Sequence, residues 1–287
     1  MKFSAVITTR NESANIANCI RAFDGFRDEV EIIVVDNAST DDTKAIAAAL
    51  GATVLDKGPE RSAQRNLGWR TARADWVVVL DADMILPQET VGEILEVAEK
   101  REGPGRETED ASGGLQPDDS RPLAYWIPEV RTGSGIRVKA RNFERSFYDG
   151  TAIDALRLFH KSVLEATGGY DENLIAGPED WELDIRVLAT GAKCAVLKNS
   201  LIHNERQLTF RRMLEKKAYY TKSMAAYQAM WKGHPALKRQ FGLLYRYFGV
   251  FVEHGKWRKL FRHPVLAFVM YCERIAVGFT YLLNRRR

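Results

Sequence analysis

An α/β fold with a mostly parallel central sheet flanked by helices, followed by a helical C-terminal appendage, is predicted by three features of the sequence. Short β-branched or continuously apolar runs alternate with segments of helical periodicity through residue 205. Carboxylates and turn residues follow the ends of those runs. After residue 206 the strand patterns stop. Strands that alternate with helices pair in parallel, and ligands on such sheets gather at the carboxyl ends of the strands.

The elements follow in order. Residues 2–8 read as an apolar strand, and residues 11–23 as a helix in which Ile16, Cys19, Ile20 and Phe23 recur at helical spacing. Residues 31–35 form a buried-type strand, 40–50 a helix capped by Ser39 or Thr40, and 53–55 a short strand. A helix over 62–73 leads into the apolar run 76–80. Residues 103–121 are rich in Gly, Pro, Ser and acids, which predicts a mobile loop at about 101–122 inserted into a domain spanning 1–205. Strands at 124–128 and 155–159 and a helix over 181–190, ending at Gly191, complete that domain.

Composition bounds the function. Hydrophobic content of 45% and charged content of 28% exclude collagen-like and fully disordered chains. Cys19, Cys194 and Cys272 have no paired spacing, which argues against a disulfide framework or a cysteine zinc site. The N-terminal apolar run, Phe3 to Ile7, is too short for a signal peptide or a membrane span, so a cytoplasmic setting is expected. The total charge of +4 conceals an asymmetry: residues 206–287 carry 18 Lys and Arg against three acids, a local +15, leaving −11 for residues 1–205. Such a basic end faces an anionic partner, nucleic acid or phospholipid.

Candidate chemistry sits where the strands end. Asp81-Ala82-Asp83 places two carboxylates where the run 76–80 leaves the sheet. A hard divalent cation would relieve their repulsion and bridge a diphosphate. A helix-capping pair in a polar turn explains the triplet alone equally well. Asp36 and Asn37 follow the second strand and could recognise a base or ribose. Thr8, Thr9, Arg10 and Glu12 follow the first, where backbone groups and Glu12 can approach a nucleotide. Glu179-Asp180 also suits the dipole-favoured acidic start of a helix.

Taken together, VITTRNE, VVDNASTDDT, SAQRNLGW and VVLDAD, in this order, resemble the family-2 glycosyltransferases with the GT-A fold, and Gly177-Pro178-Glu179-Asp180-Trp181 completes the resemblance. The resemblance implies an inverting, metal-dependent transfer of a sugar, a hexose by expectation, from a nucleotide-diphosphate donor to an acceptor hydroxyl. Asp180 would be the catalytic base, with Glu179 beside it. Thr8, Thr9, Glu12 and Asp36 would line the nucleotide and Arg65 would lie near the diphosphate. Asp81, Asp83 and His203 would hold Mn²⁺ or Mg²⁺, with Asp83 the principal ligand and a structural role for His203 left open. Many relatives carry a second aspartate where Asn37 stands here, which leaves the base open. A lipid-linked or nascent glycan is the expected acceptor, and residues 137–149, basic and aromatic, either help hold it or form a solvated surface.

Residues 207–231 and 264–283 have amphipathic or apolar helical patterns. Glu273 and Arg274 lie in the middle of the second, and a charge at a bilayer centre costs about 2.5–3.5 kcal/mol, so a span is disfavoured. The tail is therefore expected to lie on the inner face of a cell membrane rather than on nucleic acid. Packing on the catalytic domain or forming a homo-oligomer are its other uses. Two other functions stay in view. A sugar-phosphate nucleotidylyltransferase would use a similar sheet, but the Gly-rich N-terminal phosphate loop it needs is missing. A non-catalytic membrane or nucleic-acid binding module fits the tail and leaves the paired acids unexplained.

Overall fold

The computed structural model describes residues 1–102, 107–109, 115–117, 121–174, 177–204 and 223–284. Strands β1 (Phe3–Thr9), β2 (Val30–Asp36), β3 (Thr53–Asp56) and β4 (Trp76–Asp81) are linked by helices α1 (Ile16–Arg21), α2 (Thr43–Ala49) and α3 (Arg61–Thr71). These four strands are parallel neighbours in a seven-stranded sheet of order β11-β8-β10-β4-β1-β2-β3. Strand β8 (Ala124–Trp126) lies between β10 (Leu156–His160) and β11 (Cys194–Val196), and β10 runs antiparallel to both β4 and β8.

Alternation along β1 divides the core. Phe3, Ala5 and Ile7 pack with Ile16, Cys19 and Ile20 of α1 and with Val91, Ile94 and Leu95 of α4 (Gln88–Glu102). Val6 faces the other way, in the layer that holds Trp69 of α3, Val163 of α6 (Lys161–Thr167) and Leu183 and Val187 of α7 (Glu179–Ala189). Every residue of β1 and β2 is buried because both faces are covered, so these strands read as apolar runs broken only by Ser4 and Glu31, which satisfy each other as the Ser4 hydroxyl donates to the Glu31 carboxylate, until they end in Thr8-Thr9 and Asp36. α3 lies close on β1 at Gly68, where a Cβ would come 2.2 Å from Val6 Cγ1.

A smaller sheet of order β5-β12-β9 joins β5 (Met84–Ile85), β12 (Leu201–His203) and β9 (Glu129–Arg131). It sets His203 opposite Met84 on one side and Arg131 on the other. Its strands are two or three residues long, too short for any period, and the sequence does not announce them.

Several boundaries differ from expectation for local reasons. The first helix starts at Ile16, because residues 12–15 form a turn after the left-handed Asn11 (φ 53°). The second starts at Thr43 after Asp42, and neither Ser39 nor Thr40 caps it: Ser39 Oγ donates to Asp36, and the Thr40 N–H donates to Asn11 Oδ1. α7 starts at Glu179, so the acidic pair forms its first turn. Within the segment expected as a loop, α4 reaches Glu102, and β6 (Glu107–Glu109) pairs antiparallel with β7 (Leu115–Pro117). Residues 103–106, 110–114 and 118–120 of that segment lie outside the described residues.

Residues 223–284 are helical: α8 (Met224–Met230), α9 (Pro235–Phe241), a turn of π-helix at Tyr245–Gly249, α10 (Trp257–Arg262) and α11 (Pro264–Asn284). Most of the amphipathic helix expected at 207–231 lies outside the described residues. Val250, Phe251 and Met270 share a core with Phe143, Phe147 and Ile153. The basic, aromatic segment 137–149 thus supplies α5 (Ile136–Arg145) and the turn after it as the platform for the tail. No helix among the described residues is long and apolar enough to cross a membrane.

Candidate active site

The parallel register aligns the strand ends. Thr9 lies opposite Asp36 and Thr8 opposite Asp81, so the predicted residues after three strands form one row at the carboxyl edge of the sheet. Thr8 Oγ1 donates to Asp81 Oδ1 at 3.0 Å. The Thr9 hydroxyl is buried without a hydrogen-bond partner. Asp36, fully buried, accepts from the Ser39 backbone N–H and hydroxyl, and Asn37 Nδ2 donates to the Pro59 carbonyl at 2.6 Å. Asn15 Nδ2 donates to Glu12 Oε2 at 2.7 Å, while Arg10 is exposed at the rim. Asn11 ties the first loop to the second, donating its N–H to Ser39 Oγ and accepting from Thr40.

Behind this row is an arginine-centred cluster. Arg65, one face of α3, is fully buried; its Nη2 lies 3.2 Å from Asp81 Oδ1, and its Nη1 lies 2.7 Å from Asp180 Oδ1 and 3.6 Å from Glu179 Oε1. Burial alone would push this guanidinium down, but Asp180 and Asp81 outweigh it and lift Arg65 well above its ordinary value. Arg61, one turn earlier on α3, reaches Asp81 Oδ2 at 3.3 Å and Glu179 Oε1 at 3.5 Å, and Arg157 of β10 lies 3.9 Å from Asp180 Oδ2. Burial would raise Asp81, yet Arg65, Arg61 and Arg157 hold its carboxyl well below the usual carboxylate range. Glu179 goes the other way: burial first, then the Asp180 charge, pushes it up, and its Oε2 has no hydrogen-bond partner. Arg61 and Arg157 were not singled out from the sequence. The four-residue spacing to Arg65, which puts both side chains on one helix face, is the signal that could have found Arg61.

Asp83 belongs to a second group. His203 Nε2 lies 3.1 Å from Asp83 Oδ2, and His203 Nδ1 lies 3.0 Å from Glu129 Oε1. Burial would lower the imidazole, but hydrogen bonds to these two carboxylates lift it to about 10. Ala82 is buried, and its N–H donates to the Thr8 carbonyl at 3.1 Å, which carries the β1–β4 pairing one residue past Asp81. The expected metal set of Asp81, Asp83 and His203 is therefore divided. Asp81 is engaged by Arg61 and Arg65, and no group of three or more acidic, His or Cys side chains able to hold a metal occurs among the described residues. Asp83 and His203 remain a convergent oxygen and nitrogen pair. Arg65, expected near a diphosphate, is occupied by carboxylates, whereas Arg61 is about 29% exposed at the same edge.

The glycosyl transferase family 2 model matches residues 4–168. Over 95 residues the chain is 46% identical to an uncharacterized glycosyltransferase of Rickettsia prowazekii (strain Madrid E), covering 32% of each protein. It is 25% identical over 228 residues to the O-antigen chain rhamnosyltransferase WbaN of Salmonella anatum, covering 75% of this chain and 69% of the relative. The matched stretch thus spans about a third of the length of the Rickettsia relative. The mannosyltransferase PcManGT from Pyrobaculum calidifontis, solved in complex with GDP-Man and Mn²⁺, shares the fold with a TM-score of 0.57 at 17% identity, covering 98% of this chain and 80% of that one.

Proposed function

The chain belongs to glycosyl transferase family 2 and has the GT-A fold, and we propose that it transfers a sugar from a nucleotide-diphosphate donor to an acceptor hydroxyl with inversion. The convergence of Asp81 and Asp180 on Arg65, at the carboxyl edge where β1, β2 and β4 end, carries this reading. It sets the acidic start of α7 beside the row of residues that would line the donor. The family match favours this activity over a nucleotidylyltransferase or a non-catalytic module.

Asp180 accepts the proton of the acceptor hydroxyl as that oxygen forms its bond to the anomeric carbon. The bond from that carbon to the phosphate oxygen breaks, and its electron pair leaves with the diphosphate. A single displacement inverts the centre. Arg65 and Arg157 hold the Asp180 carboxylate in place, and the raised proton affinity of Glu179 limits repulsion between the adjacent acids. Thr8, Thr9, Glu12 and Asp36 line the nucleotide side, with Asn37 at its edge, and Arg61 is the accessible cation for the diphosphate.

Asp83 and His203 would fit a divalent cation that displaces the proton held between them: one carboxylate oxygen and one imidazole nitrogen, 3.1 Å apart and partly exposed, with Glu129 accepting from the other imidazole nitrogen, leave further positions for water and diphosphate oxygens. Bound there, Mn²⁺ or Mg²⁺ would offset the charge developing on the leaving diphosphate. The GDP-Man and Mn²⁺ in the PcManGT complex support a nucleotide sugar and a divalent ion as ligands of this fold. The acceptor is a glycan, free or lipid-linked, in line with the O-antigen chain named for WbaN.

A thermal-shift panel of UDP-, GDP- and TDP-sugars with Mn²⁺ tests the reading, because a ligand that binds only the folded state raises its melting temperature. At least one donor should stabilise the chain, and the same donor should then be consumed in the presence of glycan acceptors. Silence across the whole panel would remove the transferase reading.

A further inference from the structure

The outer surface of the C-terminal helices reverses the usual pattern of a helix packed on a domain. Leu266, Ala267, Met270 and Tyr271 of α11 face inward, against Phe143, Phe147, Ile153, Val250 and Phe251. The two charges that interrupt its apolar run also turn toward α5: Glu273 pairs with Arg137 and Arg141, and Arg274 with Glu144. What remains on the other side is apolar. Val265, Phe268, Cys272 and Ile275 recur at helical spacing, and Val265, Phe268 and Ile275 are 65%, 71% and 53% exposed. α10, in contact with α11, adds exposed aromatic side chains of its own: Phe261 is 78% exposed, and its ring meets that of Trp257 with centroids 5.9 Å apart.

Cations are interleaved with these side chains. The Arg258 guanidinium lies 5.5 Å from the Trp257 ring centroid, Arg262 follows Phe261, and both arginines are exposed. Of the nine Lys and Arg in residues 223–275, Arg274, Lys256 and Lys259 are held against α5 and the turn after it, and the two acids, Glu253 and Glu273, are themselves paired, so the charge left on the outer side is positive. A second copy of this chain would set like charges opposite one another, which disfavours pairing through this face. An anionic bilayer supplies both complements: phosphate headgroups for the arginines, and the headgroup–acyl boundary for the aromatic and aliphatic side chains.

We propose that α10 and α11 seat the protein on the surface of an anionic membrane, with Trp257, Phe261, Val265 and Phe268 entering the interface and Arg258 and Arg262 engaging lipid phosphates. The helices lie along the surface, since Glu273 and Arg274 are committed to the protein side. This surface is independent of the transferase reading.

The test is co-sedimentation of the full chain with vesicles of phosphatidylcholine plus phosphatidylglycerol, against phosphatidylcholine alone. Wild type should bind the anionic vesicles, bind the neutral ones far less, and dissociate in high salt. Phe261→Ser/Phe268→Ser and Arg258→Glu/Arg262→Glu should each weaken binding about tenfold or more. Because these side chains are exposed, circular dichroism and donor-induced thermal shifts without vesicles should match wild type, which separates failure of the membrane seat from failure of the active-site reading. The proposal is overturned if wild type does not sediment with anionic vesicles, binds neutral vesicles equally, or is matched by both variants. A dimer that the Phe261→Ser/Phe268→Ser variant dissociates would likewise replace the membrane with a second copy.

Discussion

Arg65 donates to Asp180 across 115 residues of chain, Nη1 to Oδ1 at 2.7 Å, while its other terminal nitrogen lies 3.2 Å from Asp81. One fully buried guanidinium thus fixes the end of β4 relative to the start of α7. Removing one partner of a buried ionic group leaves the others uncompensated, at about 3–5 kcal/mol. Arg65→Leu should lose stability on that scale in urea unfolding at neutral pH. The deficit has a pH sign. Asp81 is held below its ordinary value of 3.8, so the stability it contributes is present above that pH and lost as pH falls further. Unfolding of wild type and variant should therefore converge in acid, and a deficit independent of pH would count against the ion-pair account.

Asp180→Asn keeps the shape of the side chain and its contact with Arg65 but cannot accept a proton. Transfer should fall at least about a hundredfold, the scale of general-base catalysis, while the donor-induced rise in melting temperature stays near wild type. Near-normal turnover would leave Asp180 as an acidic first-turn residue of α7 and nothing more.

These two residues also show how far the sequence could be read. Largely apolar runs ending in Thr8-Thr9, Asp36 and Asp81 gave away the carboxyl edge of the sheet, because strands covered on both faces keep few polar positions before they emerge, here Ser4 and Glu31, which pair with each other. The link from Asp81 to Asp180 was legible only through the family resemblance, since local periodicity says nothing about partners so far apart. Arg157 was missed because it acts through the antiparallel return of β10 beside β4, a topological fact. Glu129 was missed because β9 and β12 are three residues long and meet only in the folded chain. In the tail, Glu273 and Arg274 read as interruptions of an apolar helix; only their pairing with α5 shows that they share one face.

Cation binding should depend on Asp83 and His203. Their atoms converge, whereas Asp81 is spoken for by arginines. Titration with Mn²⁺ followed by paramagnetic resonance should show binding to wild type in the presence of nucleoside diphosphate, with affinity falling roughly tenfold or more in Asp83→Ala or His203→Ala. EDTA should abolish the donor-induced thermal shift. Unchanged donor affinity in EDTA would remove the metal from the proposal.

Asp149 is a cost the fold carries away from the active site. Burial first, then the nearby Asp154, pushes its carboxyl up to about 6, and its Oδ1 is buried without a hydrogen-bond partner. The folded state therefore favours the proton: this contribution is fully present below the ordinary value of 3.8 and is lost as pH rises through about 6. Asp149→Asn should stabilise the protein above that pH, by roughly 1–2 kcal/mol once the partial exposure of the residue is allowed for, and leave it unchanged in acid. Melting temperatures on both sides of the transition check this, and a variant no more stable at alkaline than at acidic pH would contradict it.

Gly68 governs how closely the arginine helix approaches the sheet. A Cβ at this position would lie 2.2 Å from Val6 Cγ1 and 3.2 Å from Val6 Cβ and Cγ2. Val6 is fully buried in a central strand paired on both sides, so it cannot retreat, and α3 must lift instead. Two effects oppose each other in Gly68→Ala. Alanine favours the helix by about 1 kcal/mol, but a contact this short overpacks the interface, at about 1–3 kcal/mol or more. The clash should win, and because α3 carries Arg61 and Arg65, the donor-induced thermal shift should shrink along with the urea midpoint. Val6→Ala removes the atoms that are struck. If the close approach is the cause, adding Val6→Ala to Gly68→Ala should recover part of both losses, although Val6→Ala alone destabilises by leaving a cavity. Strictly additive losses in the double variant would show that Gly68 matters for some reason other than its contact with β1.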